Sequence, residues 1–150
     1  AGDTFGDGVD SDCDDQDCEA DSYDGTYFTQ CVYADDWNVA DLRALCRDTG
    51  YDGLATVRND LENTFLAELS PTGAAFIVGG NDIASEGTWV WDSGEPFSYT
   101  NWAPGEPNNS GMGEHCLALH PPTHPGEWPY KWNDTFCTNS GPIHYACEHR

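Results

Sequence analysis

The sequence predicts an α+β domain stapled by disulfides, and three observations carry that reading. Two stretches with helical apolar spacing are set among short apolar runs that read as strands. Seven cysteines in 150 residues indicate disulfides formed in an oxidising compartment rather than reactive thiols. The hydrophobic fraction is only 38%, but six Trp, seven Tyr and six Phe bring large buried areas per residue. A chain of 150 residues is one ordinary domain, long enough to bury a core.

Residues 1–24 read as a separate acidic segment, with Asp at 3, 7, 10, 12, 14, 15, 17, 21 and 24. Asp10, Asp12 and Asp14 alternate in a way that lets loop carboxylates converge on one ion. They do not open an EF-hand, because the sixth and twelfth positions hold Asp15 and Asp21 rather than Gly and Glu. A calcium-binding segment and a solvated acidic tail are both compatible with this composition.

Tyr27 to Tyr33 alternates as a strand. Asp35 or Asp36 then caps a first helix carrying Trp37, Ala40, Leu42, Ala44, Leu45 and Cys46, with Gly50 as its stop. A strand over Gly53–Val57 leads to a second helix from Asn59 or Asp60, carrying Leu61, Phe65, Leu66 and Leu69 and ended by Ser70-Pro71. Ala74–Gly80 reads as a buried strand. Trp37, Leu42 and Phe65 are read as core, and so are the aromatics of Trp89-Val90-Trp91 and Trp102.

Two short pieces concentrate oxygen-bearing side chains. They are Glu106-Pro107-Asn108 with Glu114 beyond it, and Trp132-Asn133-Asp134. Glu106, Asn108, Glu114, Asn133 and Asp134 suit Ca2+, a hard ion that takes six to eight oxygens; zinc and copper would favour His and Cys. An Asn that ligates through its carbonyl keeps an amide donor, and a Glu that ligates through one oxygen keeps an acceptor. Such a ring can coordinate two adjacent hydroxyls and hydrogen-bond to each of them. That is a sugar-binding device.

These pieces, with the cysteine frame, resemble the C-type lectin domain family from about Cys18 to the C-terminus. The resemblance implies a fold of two helices flanking antiparallel sheets, with a long calcium-binding loop region and residues 25–150 as the lectin domain. It implies a cis peptide at Pro107 and mannose-type specificity from Glu-Pro-Asn, where Gln-Pro-Asp goes with galactose-type sugars. It also implies disulfides Cys46–Cys147 and Cys116–Cys137. Cys31-Val32-Tyr33 looks like the second half of the long form's N-terminal hairpin. Cys18 is then the preferred partner of Cys31, since it leaves room for a turn at Tyr23-Asp24-Gly25, and Cys13 is left unpaired or intermolecular. A Cys13–Cys18 bond, leaving Cys31 free, is the competing arrangement. An unpaired cysteine makes self-assembly through the N-terminal segment an expectation.

Asp82 and Glu86 match the pair that holds an auxiliary calcium in the family. Asn109 and His115 stand where two further acids are usual; Asn109 still offers a carbonyl oxygen, but His115 is a poor calcium ligand. Phe76 replaces the usual Trp of the Trp-Ile-Gly strand, and Tyr145-Ala146-Cys147-Glu148 resembles the final strand. The Pro-rich loop His120–Tyr130 runs into the candidate sugar site. Its Trp128 and Tyr130 read equally as sugar-stacking faces or as packed loop residues, while His120, His124 and Glu127 lack the spacing of a zinc site.

With 27 acidic residues against five basic ones, the net charge of −22 excludes nucleic acid and anionic membranes as natural partners. No apolar run is long enough to span a bilayer, and a start at Ala1 is expected of a trimmed product, secreted or at the cell surface. No Ser-His-Asp or Cys-His pattern is legible, and carboxylates that ligate calcium make poor general acids, so the chain is not read as an enzyme. The expected function is calcium-dependent binding of mannose, glucose or fucose through vicinal hydroxyls. The alternative is a surface-layer or filament subunit in which calcium stabilises loops or subunit contacts.

Overall fold

The computed structural model describes residues 16–70, 73–123 and 128–150. Asp10, Asp12, Cys13 and Asp14 lie outside the described residues, as do Pro71, His124 and Glu127. Ten strands and two helices are described: β1 (Gln16–Tyr23), β2 (Thr26–Tyr33), β3 (Trp37–Asn38), α1 (Val39–Asp48), β4 (Gly53–Leu54), α2 (Asp60–Leu69), β5 (Phe76–Asn81), β6 (Val90–Trp91), β7 (Cys116–Leu119), β8 (Trp132–Thr135), β9 (Thr138–Asn139) and β10 (Ile143–His149). The main sheet runs β1-β2-β10-β5-β7-β8, with β4 added to β10 and β6 to β5. Every pairing in it is antiparallel except β10 with β5. The class is therefore the α+β architecture expected.

β1 and β2 form a hairpin turned by Asp24 (φ 49°) and Gly25 (φ 81°), a left-handed pair that Gly adopts freely and Asp tolerates. Cys18 lies opposite Cys31 in this ladder and is bonded to it. The boundary drawn at residue 24 thus falls in a hairpin turn, and Gln16–Tyr23 of the acidic stretch is joined to the domain's sheet. Cys46–Cys147 ties α1 to β10, and Cys116–Cys137 ties β7 to the segment after β8.

The first helix begins later than Asp35 or Asp36 would allow. Asn38 is the cap: its side chain accepts the Asp41 N–H at 3.0 Å, and Asp41 accepts the Asn38 N–H at 3.2 Å. Trp37-Asn38 is pulled instead into a two-residue ladder with β9. Asn59 caps α2 by accepting from Glu62 N–H. Leu61 points to solvent, while Leu66 and Ala67 of the same helix are buried. The strand expected to reach Val57 is regular only over Gly53–Leu54. Ala55 still bonds Ala146 and Gly79 through its backbone, but the Thr56 N–H donates to the Glu148 side chain rather than to a neighbouring strand.

Two apolar clusters fill the interior. One joins Phe28, Leu66, Phe76, Trp91, Leu117 and Trp132, and the other packs Trp37, Leu42, Leu54, Ile77 and Tyr145 around Cys46–Cys147. Gly80 lies where strand and aromatic core approach most closely: an added Cβ would meet Leu117 Cδ1 at 2.8 Å and Trp91 Cζ3 at 3.2 Å.

An ion cluster that no local pattern of residues announces surrounds Arg58. Its guanidinium meets Glu62, Glu95 and Glu148, and the Glu62 and Glu148 side chains are only 7% and 4% exposed. Burial pushes the Glu62 and Glu148 carboxyls above their ordinary 4.5, against the pull of Arg58.

Two measurements check this packing. Gly80→Ala should lower stability by about 1–3 kcal/mol in denaturant melts, because the surrounding side chains must leave their rotamers. Arg58→Met should cost about 3–5 kcal/mol near neutral pH by stranding buried carboxylates. Without the guanidinium the folded state holds their protons more tightly than the unfolded chain. The penalty should therefore shrink as pH falls towards 4.5 and grow as pH rises above it.

Candidate functional site

β8 and the loop before β7 build the site together. Trp132 opens β8 and is fully buried, so the strand's start is anchored and Asn133 and Asp134 follow at set positions. β8 pairs with β7 so that Asn133 lies opposite Ala118 and Asp134 opposite Leu117. The Asp134 side chain is buried; its two oxygens accept the N–H groups of Asn108 (3.1 Å) and Asn109 (2.6 Å). One carboxylate thus fastens the 106–109 loop to the sheet.

The Glu106-Pro107 peptide is cis. Across it, the Asn108 amide donates to Glu106 Oε1 at 2.9 Å, and Asn108 Oδ1 accepts the Ser110 N–H at 3.0 Å. Asn109 adopts a left-handed conformation (φ 46°), and its side-chain oxygen accepts the Glu114 N–H at 3.1 Å. Glu114 reaches back to accept the Ser110 N–H at 2.8 Å. Residues 106–114 therefore form a closed loop that brings Glu106, Asn108 and Glu114 to Asp134.

Asn133 is held from the side. Its Oδ1 lies 2.6 Å from His120 Nε2, and its amide donates to the Asp134 carbonyl at 2.8 Å. Trp128 packs edge-on against the His120 ring, with centroids 5.8 Å apart. Tyr130 goes elsewhere: its hydroxyl donates to Glu68 of α2, and its backbone carbonyl accepts from Asn63 and Asn101. Trp128 is thus one side chain removed from Asn133, whereas Tyr130 is tied to the second helix.

The electrostatics call for a cation. Burial, then the neighbouring Asp134 and Glu114 carboxylates, push the Glu106 carboxyl up to about 7. Burial and Asp134 likewise raise Glu114. Glu106 Oε2 is buried with no protein partner, which is costly for a carboxylate oxygen unless a proton or a metal meets it. Among the described residues no Lys or Arg pairs with Glu106, Glu114 or Asp134, and Lys131 donates to Asn101. An all-oxygen donor set with an orphaned carboxylate oxygen fits Ca2+.

A second cluster lies beside the first. Asp82, Glu86 and His115 place ligand atoms within 4.8 Å of one another. His115 Nδ1 is 3.0 Å from Asp82 Oδ1 and 3.1 Å from Glu86 Oε2. Contact with Asp82 raises the exposed Glu86 carboxyl above its ordinary range. His115 is thus the third side chain of this cluster, while the Asn109 side-chain oxygen accepts the Glu114 N–H.

His120 and Asn63 are the participants that sequence reasoning missed. His120 is read from the sequence only as the start of the Pro-rich loop and a poor zinc ligand, and its contact with Asn133 depends on the β7–β8 register. Asn63 accepts the Trp132 indole N–H at 2.7 Å, a partner 69 residues away in sequence but adjacent in space.

Comparison with known proteins agrees with this architecture. The family model described as "Lectin C-type domain" matches residues 35–149. The chain is 39% identical over 106 residues to a mannose-binding protein of Gallus gallus, covering 71% of this chain and 38% of that protein. It is 38% identical over 98 residues to perlucin of Haliotis laevigata, covering 63% of this chain and 59% of that one. The chain thus spans well under two thirds of the length of these curated relatives. Among solved structures, the cow carbohydrate-recognition domain of CD23, crystallised in the presence of a GlcNAc2Man3 oligosaccharide, aligns with a TM-score of 0.65 at 27% identity, over 86% of this chain and 95% of that one. Herring type II antifreeze protein shares the fold with a TM-score of 0.69 at 23% identity, over 87% of this chain and 94% of that one. With the family model matched from Asp35 to His149, the chain belongs to the C-type lectin domain family.

Proposed function

We propose that this domain binds mannose-type sugars at Glu106, Asn108, Glu114, Asn133 and Asp134, around a bound Ca2+. The observation that carries the proposal is the buried oxygen of Glu106 left without a hydrogen-bond partner, in a cluster of carboxylates that no basic side chain among the described residues balances. The relatives named as a mannose-binding protein and as a carbohydrate-recognition domain support the ligand class. When bound, the ion supplies a hard Lewis-acid centre able to accept two vicinal hydroxyls in place of water.

The chain's own residues do the remaining work. Glu106 and Glu114 accept hydrogen bonds from those hydroxyls, and the amides of Asn108 and Asn133 donate to them. Asp134 is engaged by two backbone amides and serves as ligand and loop anchor. His120 holds the Asn133 carboxamide in orientation, with Trp128 behind it. A monosaccharide exchanges few contacts against water, so single-site affinity is expected near millimolar, roughly −4 kcal/mol, with tighter capture needing several copies. The reading is of a binding domain and not an enzyme. Three disulfides suit a secreted or cell-surface setting, and no helix among the described residues is long and apolar enough to cross a membrane.

The test is retention on immobilised mannose and on immobilised galactose, with calcium and then with chelator. Retention on mannose alone, released by chelator, is the expected result, and Glu106→Gln or Asn133→Asp should abolish it. Retention on neither sugar, with calcium still raising the melting temperature, would leave the ion as a loop clamp. The raised Glu106 carboxyl adds a pH dependence. Protons and calcium compete for it, so the calcium-induced rise in melting temperature should diminish as pH falls below about 7.

A further inference from the structure

We propose that Asp82, Glu86 and His115 form a second metal site whose ligand is a zinc-class divalent ion, in place of the auxiliary calcium that the family resemblance implies. The site is separate from the sugar set and does not depend on what that set binds.

The donor chemistry separates the two ions. Calcium takes six to eight oxygens and gains little from an imidazole nitrogen. Zinc and its neighbours in the first transition row bind imidazole and carboxylate together. His115 presents Nδ1, and not its backbone, to both carboxylates. Ligand atoms around a tetrahedral zinc with bonds near 2.0–2.2 Å lie roughly 3.3 Å apart. The two nitrogen–oxygen separations of 3.0 and 3.1 Å are close to that spacing, and all three atoms lie within 4.8 Å of one another. Only a small adjustment admits the ion. Two carboxylates and a neutral imidazole also carry the charge that offsets one divalent cation.

Two of the three ligands are held in place without the metal. Asp82 and His115 flank the Asn81–Cys116 pair that joins β5 to β7, and the Asp82 N–H donates to the His115 carbonyl at 3.1 Å. The Asp82 side chain is only 2% exposed, and Gly87 N–H donates to its Oδ2 at 2.8 Å, leaving Oδ1 directed at the imidazole. Such outer hydrogen bonds orient metal-binding carboxylates. Glu86 is the exposed member, carried over the pair by the turn that closes with Thr88 N–H on the Ser85 carbonyl at 2.9 Å. Three protein ligands leave a coordination position for water or for a donor from a partner molecule.

The experiment titrates the chain with ZnCl2 by calorimetry while calcium is held in excess, and follows Co2+ absorption as a direct report of nitrogen–oxygen coordination. One zinc ion per chain is expected at this site. Its affinity should fall roughly tenfold or more in Glu86→Gln, an exposed change that leaves the packing alone, and in His115→Ala. His115→Asp should restore an all-oxygen set and shift the preference from zinc towards calcium. Absence of zinc binding overturns the proposal, and so does zinc binding that neither Glu86→Gln nor His115→Ala weakens. In the first case His115 serves only as a hydrogen-bond partner of the two carboxylates. In the second the ion sits on other acids and histidines of the chain.

Discussion

The burial of Trp132 is the constraint on which the binding end of the molecule depends. Its indole is fully enclosed, meeting Trp91, Phe97, Tyr99 and Trp102 edge to face at 68° to 86°, with ring centroids 5.6–6.0 Å apart. Edge-to-face packing of this kind adds to the area buried. An indole N–H buried without a partner would cancel much of that gain, and Asn63 supplies the acceptor. Asn63 in turn donates to the Tyr130 carbonyl, so one buried amide joins α2, the Pro-rich loop and β8. With Trp132 immobile, the next two residues cannot slide in register. Asp134 then reaches the backbone of the Glu-Pro-Asn loop, and the site is assembled.

The distribution of charge separates structural carboxylates from functional ones. The chain has only five basic residues, and Arg58 is spent on Glu62, Glu95 and Glu148 beneath the surface. Glu62 and Glu148 are buried and Glu95 is half-buried, but each has a cation beside it. Glu106, Glu114 and Asp134 have none, and their crowding raises the first two carboxyls. Asp82 and Glu86 stand between these cases, with the His115 imidazole set against both. In a chain this acidic, the scarcity of internal cations leaves two neighbouring clusters of carboxylates, and these are the places where we propose that a metal ion binds.

Much of the domain was legible in its one-dimensional pattern. Apolar spacing marked both helices, because one face of each must be buried and the period of the helix repeats that demand along the chain. Turn chemistry marked the hairpin at Asp24-Gly25. The errors share a cause. Trp37 and Asn38 were assigned to a helix because local propensity is silent about β9, a hundred residues away, which claims them. Residues 55–57 read as strand because they are buried, and Ala55 does keep backbone bonds to Ala146 and Gly79, but at Thr56 the long-range carboxylate of Glu148 takes the N–H.

By itself, then, the sequence determined which residues carry the oxygen-rich chemistry, since Glu-Pro-Asn and Trp-Asn-Asp are local patterns and side-chain type alone sets their taste for a hard cation. Tertiary structure decided how those residues are held and which others join them. Only the pairing of β7 with β8 brings His120 to Asn133, and only the pairing of β5 with β7 sets His115 between Asp82 and Glu86. Only packing against α2 turns Tyr130 away. The physical reason is that partners and orientations are fixed by contacts between segments far apart in the chain, and no local pattern of residue types encodes them.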